Sequence, residues 1–148
     1  MNKPDHEETN IGSHALIITP NGKIVLQQRD TNPNIVNPGK ITMFGGTIKT
    51  SDSPETGLKR ELFEELELNI DNFEVKKLNT FLKTKELDGT DYIIHVFLVK
   101  NVDLDKLKLH EGAEFVCDTA ENLLKNPKIT RITKLALLDF VAKTTTLS

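Results

Sequence analysis

Residues 59–68 read KRELFEELEL, an acidic run with leucines threaded through it. On an α-helix at about 100° per residue, with Glu61 at zero, Glu64 falls near −60° and Glu65 near +40°. Leu58, Leu62 and Leu66 then lie at roughly 60° to 140°, beside the carboxylates rather than opposite them. Such a helix has to lay its leucine stripe on an apolar surface, and doing so carries three carboxylates to the rim of that surface. Ser53-Pro54 supplies a start, because serine caps orphan N–H groups and proline fits the first helical position. The helix is expected from Pro54 to about Leu66–Leu68. Upstream, ITMF over 41–44 reads as a short strand that ends at a Gly45-Gly46 turn. Neither glycine carries a Cβ, so backbone can come close to whatever sits there.

The rest of the chain has to provide the surface. HALIITP and KIVLQQR flank Asn21-Gly22, a strong hairpin signal. Residues 30–40, with Asn32-Pro33, Asn34 and Asn37-Pro38-Gly39, read as a loop. Strands are expected over 75–85 and 91–100 with a turn at Asp88-Gly89, and another over 114–117. Asp118 or Thr119 caps a short helix through Lys125, and apolar residues at 132, 135, 136, 138, 140 and 141 suit a final amphipathic helix over 129–141. Strands mixed with a central and a terminal helix point to a layered α/β domain. Its 148 residues, 37% hydrophobic and 28% charged, suffice for one core. Residues 1–10 form a polar arm without a signal-peptide core, leaving a single domain over 11–148.

Composition excludes several function classes. Nineteen basic against 22 acidic residues give a net charge of −3, so no overall basic field awaits a nucleic-acid polymer. Cys117 stands alone, which removes a disulfide framework and a cysteine-based zinc site. No apolar run approaches the roughly 18 residues that span a bilayer. A soluble, cytoplasmic protein is the expectation.

Glutamate-rich helices are most often solvated faces. Here the carboxylates border the leucine stripe and follow a glycine pair. Three clustered carboxylates raise one another's pKa, and a divalent cation relieves the repulsion. Hard oxygen donors favour Mg²⁺ or Mn²⁺ over zinc. Arg60 can pair with Glu64 at i,i+4, and a carbonyl from the Gly45-Gly46 turn is a natural extra ligand.

From Gly46 to Leu68 the sequence resembles the Nudix box, G-x5-E-x7-R-E-U-x-E-E-x-G-U, with U a bulky aliphatic residue. Seven of nine specified positions match: Gly46, Arg60, Glu61, Leu62, Glu64, Glu65 and Leu68. Asp52 stands where the family has its first glutamate, a shorter acid. Glu67 stands where the family has a glycine that ends the helix in a left-handed conformation. Either that conformation is kept at a cost of roughly 1–2 kcal/mol, or the helix runs on.

The resemblance implies an α/β/α sandwich with a mixed central sheet and the catalytic helix following the Gly-Gly turn. It implies Glu64 and Glu65 as the metal-binding pair, Glu61 as a further ligand or an orienting carboxylate, the Gly45 carbonyl as backbone ligand, and Arg60 as the arginine that orients a box glutamate. An additional glutamate from a later loop is implied by several members, and Glu111 lies at a suitable distance, with Glu114 as fallback. The implied activity is Mg²⁺- or Mn²⁺-dependent hydrolysis of a nucleoside diphosphate linked to another group. The substrates would be nucleoside triphosphates including oxidised forms, nucleotide sugars, ADP-ribose or dinucleoside polyphosphates. A metal-activated water attacks phosphorus, and Glu61 or Glu111 takes its proton. Arg29, Gly46 and Phe44 are candidate substrate contacts, with Phe97 and Tyr92 as further stacking groups and Asn126 as a base-edge amide. His110 could touch phosphate or hydrogen-bond the base. Cys117 and His95 read as structural, while His6 and His14 carry no usable signal. Members are often dimers, so a homodimer is one expectation. The rival classes are a non-catalytic nucleotide-binding Nudix-like module, against which the three retained glutamates argue, and isomerase chemistry requiring a cysteine for which Cys117 is poorly placed.

Overall fold

A computed structural model describes residues 8–35, 38–84, 91–110 and 114–145. Among the described residues seven strands and three α-helices follow in order: β1 (Glu8–Ile18), β2 (Ile24–Gln28), β3 (Ile41–Thr42), β4 (Phe44–Lys49), α1 (Pro54–Leu66), β5 (Glu74–Thr84), β6 (Asp91–Lys100), β7 (Glu114–Asp118), α2 (Ala120–Leu124) and α3 (Arg131–Thr145). Most of the arm expected at 1–10 lies outside the described residues, and Glu8–Asn10 open β1.

The sheet runs β3-β2-β1-β6-β5, with β4 also on β1 and β7 also on β2. β1 and β6 are parallel and the other pairs antiparallel, so the sheet is mixed. One edge of β1 belongs to β6. The other is shared, with β4 along Glu8–Ala15 and β2 at Ile17 and Ile18. The sheet therefore parts between β3 and β4, at Met43.

Strands buried on both faces read as continuous apolar runs, and HALII and HVFLV do so for that reason. Ala15 and Ile17 of β1, Val25, Phe97 and Val99 pack with Leu58, Leu62 and Leu66 of α1. Leu16, Ile18, Ile24, Leu26, Val96 and Leu98 pack on the opposite face with Leu123 of α2 and Ala136 and Leu137 of α3. Helices thus cover both faces, giving the α/β/α sandwich. Each fully buried leucine of α1 contributes about 1.5–3 kcal/mol.

The expected elements appear with instructive differences. The first hairpin is a three-residue loop in which only Gly22 takes positive φ, at 86°, closed by Thr19 and Lys23. The Asp88-Gly89 turn lies outside the described residues, although Lys83 and Tyr92 pair across its strands. Gly45-Gly46 is not a turn that ends a strand. The strand breaks at Met43 and β4 runs through both glycines to Lys49. Gly45 adopts φ 131°, which a residue with a Cβ rarely tolerates, so the pair allows a strand to bend rather than stop. In α3 the stripe is rotated from the expected one. Leu137 is fully buried, while Leu135 and Leu138 are 37% and 47% exposed.

Candidate functional site

α1 begins as its sequence requires. Ser53 Oγ accepts the Thr56 N–H at 3.1 Å, with Pro54 in the first turn. Ser13, a fully buried hydroxyl of β1, donates to the Pro54 carbonyl at 2.8 Å and ties the helix start to β1. Gly57 brings the first turn onto β4, since a Cβ there would stand 2.2 Å from Ile48 Cγ2. These two contacts were not legible as site features, although a glycine in a helix was a visible signal.

With the helix so placed, its carboxylate edge meets the two glycines. The Gly45 N–H donates to Glu65 Oε1 at 3.0 Å. A Cβ on Gly46 would lie 2.6 Å from Glu61 Oε1. Arg60 spans the site. Its Nη2 donates to Asp52 Oδ2 and its Nη1 to Glu61 Oε2, both at 2.8 Å, and Nη1 stands 3.8 Å from Glu64 Oε1. Burial would raise the Asp52 pKa, but the Arg60 hydrogen bond and the Lys49 N–H outweigh it and hold the carboxyl below its usual range. Burial alone would likewise lower Arg60, and its bonds to Asp52 and Glu61 raise it instead, so the guanidinium stays charged. The shorter acid at position 52 therefore keeps an arginine partner and a tight turn with Lys49.

The donor types suit a hard divalent cation: every candidate is oxygen, Glu61 and Glu65 are half-buried, and Gly46, with no Cβ, lets the Glu61 carboxylate come up against its backbone. The expected convergence of Glu61, Glu64 and Glu65 on one point is nonetheless not in place. Among the described residues no three His, Cys, Asp or Glu side chains are arranged to hold a metal ion. The reason is local: Arg60 turns Glu61 toward itself and the Gly45 amide draws in Glu65.

The other candidates divide. Phe44 is 1% exposed and packs in the core against Phe115, so the ring is not presented to a ligand. Phe97 is buried too, and Tyr92 packs against the α3-side core. Arg29 follows β2 directly, and its N–H donates to the Lys40 carbonyl at the mouth of the 30–40 loop. Asn126 turns its Oδ1 to the Lys128 N–H. Glu111 lies outside the described residues, and Glu114 is exposed at the start of β7. Cys117 packs against the α1-side core, where burial pushes its thiol up. His14 sits behind Gly45. Its Nδ1 is buried without a hydrogen-bond partner, and burial, helped by Lys83 and opposed by the Phe44 backbone, pushes it down to about 4.

α1 ends in the left-handed conformation that the box glycine would provide. Glu67 adopts φ 55° and ψ 32°, so the helix does not run on. No helix among the described residues is long and apolar enough to cross a membrane.

The model of the NUDIX domain family matches residues 9–133. The MutT protein from Methanosarcina mazei Go1 is 24% identical, with 90% of this chain and 94% of that one covered at a TM-score of 0.76. A MutT Nudix hydrolase from Burkholderia pseudomallei is 21% identical, covering 90% and 98% at 0.71. The dihydroneopterin triphosphate pyrophosphohydrolase of E. coli is 12% identical, covering 92% and 97% at 0.74. At these identities the structures share the fold, and the family match spans most of the sequence from β1 into α3. The chain therefore belongs to the Nudix family and is a pyrophosphohydrolase acting on nucleoside diphosphate linkages.

Proposed function

We propose that the protein hydrolyses a diphosphate bond in a small nucleotide, with Mg²⁺ or Mn²⁺ as cofactor, at the edge of α1 facing Gly45 and Gly46. The observation that carries this reading is the Arg60 bridge between Asp52 and Glu61, beside a Glu65 carboxylate held by the Gly45 amide. The arrangement fixes two box carboxylates from both sides, which a solvated glutamate face would not need. Glu61, Glu64, Glu65 and the Gly45 carbonyl would hold the cation. When bound, it would neutralise charge on the diphosphate and acidify a water.

The remaining roles belong to this chain's own residues. Arg60 keeps Glu61 oriented. Gly46 gives that carboxylate the room it occupies, because a Cβ there would push it away. Arg29, at the mouth of the 30–40 loop, contacts a substrate phosphate. A carboxylate removes the proton of the attacking water, and Glu61 and Glu111 are the two candidates, separable by Glu61→Gln and Glu111→Gln. Substrates are drawn from nucleoside triphosphates including oxidised forms, nucleotide sugars, ADP-ribose and dinucleoside polyphosphates. A pyrophosphohydrolase of similar fold that acts on a pterin triphosphate adds that class to the panel.

The test is phosphate-release turnover on these compounds with Mg²⁺ or Mn²⁺, coupled to pyrophosphatase or phosphatase, with Glu65→Gln alongside. Turnover on one class, lost by orders of magnitude in Glu65→Gln, supports the reading. Nucleotide binding without turnover, unchanged in Glu65→Gln, replaces it with a binding module.

A further inference from the structure

Position 67, glycine in the family box, carries Glu67, and it keeps the left-handed backbone that glycine adopts without strain. Ending a helix does not call for a carboxylate. The side chain instead reaches across to the connection between β6 and β7. The Nε2–H of His110 donates to Glu67 Oε2 at 2.6 Å, and Lys108 Nζ stands 3.9 Å from Oε1. A carboxylate accepts and an imidazole nitrogen facing it carries the proton, which settles the direction of that bond.

Two backbone bonds run along the same line. The Lys108 N–H donates to the Leu66 carbonyl and the His110 N–H to the Glu65 carbonyl, both at 3.1 Å. The last carbonyls of a helix lack intrahelical donors, and residues 108 and 110 supply two of them. The connection is thus zipped to the helical turn that bears Glu64 and Glu65, with the Glu67–His110 contact as its side-chain fastening.

We infer that Glu67 is a positioning residue: through His110 it clamps residues 108–110 onto the last turn of α1, and so holds Glu64 and Glu65 in place. This rests on the hydrolase reading above. It concerns a position where this chain departs from the box, so the departure is an added function rather than a defect in the cap.

The family's own glycine is the discriminating substitution. Glu67→Gly relieves the left-handed backbone and removes the clamp, so a purely structural role and a positioning role move in opposite directions. The thermal midpoint should stay or rise while kcat falls about fivefold, the equivalent of about 1 kcal/mol. KM should move less than kcat. Amide hydrogen exchange at Lys108 and His110 should quicken by a similar factor. Glu67→Gln still accepts from His110 and should restore most of the rate. His110→Ala should match Glu67→Gly, and the double variant should be no worse than either. With an active wild type and an inactive Glu65→Gln, unchanged kcat and unchanged exchange in Glu67→Gly overturn the clamp alone. A wild type that turns over nothing in the panel overturns the hydrolase reading, and the positioning role with it.

Discussion

Replacing each of the two adjacent glycines by alanine should produce different phenotypes, one felt mainly in turnover and the other in stability. At Gly46 the added Cβ would lie 2.6 Å from Glu61 Oε1 and 3.2 Å from its Cδ, and the backbone there is not left-handed. Ordinary contact begins near 3.4 Å, so the carboxylate must retreat by about 0.8 Å. It is the far end of a flexible side chain and can do so, at the expense of its 2.8 Å bond to Arg60. Charged hydrogen bonds of this kind contribute about 1.5–3 kcal/mol, less at a rim where water replaces the partner. Gly46→Ala should then cost about 1 kcal/mol, or about 2–4 °C in Tm. Turnover should fall about 100-fold, because a displacement approaching 1 Å in a positioned group costs that much. At Gly45 the Cβ would lie 2.2 Å from the Ser13 carbonyl and 2.6 Å from His14 Cα, at φ 131°. Backbone on both sides cannot swing away, so Gly45→Ala should cost about 3 kcal/mol or more, and 6 °C or more in Tm, on steric strain. Thermal unfolding and steady-state phosphate release on the best substrate read both effects. Full activity in Gly46→Ala, or equal Tm losses in the two variants, would refute the geometry assigned to the glycine pair.

Two further outcomes follow from the packing. Gly57→Ala would raise helix propensity by about 1 kcal/mol in an open helix, but the 2.2 Å approach to Ile48 Cγ2 should turn this into a net loss of about 1–3 kcal/mol. Urea titration of Gly57→Ala, Ile48→Ala and the double variant should show the two losses to be less than additive. For His14, the folded pKa of about 4 lies below the usual 6.5, so the unfolded chain takes up a proton before the folded one does. Stability is therefore whole above pH 6.5 and should fall by roughly 2–3 kcal/mol as pH drops toward 4. His14→Gln should flatten that part of the pH profile, and an unchanged slope would show that the imidazole is not held neutral.

Local features announced themselves in the residues. The helix start at Ser53-Pro54, the leucine stripe, the paired strands and the box carboxylates depend on spacing and on side-chain chemistry, which a linear sequence displays. The α/β sandwich followed because both-face burial leaves continuous apolar runs in β1 and β6. Other features depend on which segments meet. Phe44 looked available for stacking until the fold enclosed it against Phe115. Gly45-Gly46 looked like a strand's end, and became a bend within β4 only once β1 paired along it and α1 pressed on it. The orientation of Glu61 depends on Arg60, itself placed by Asp52 eight residues earlier. Glu67 read as a fault in the box, and acquired its partner only when residue 110 folded back 43 positions to meet it. Sequence by itself determined what each element is and which chemistry its face offers, because those are properties of periodicity and residue type. Tertiary structure alone decided which side chains are enclosed, which backbones approach too closely for a Cβ, and which charges hold one another, because these are distances between residues remote along the chain.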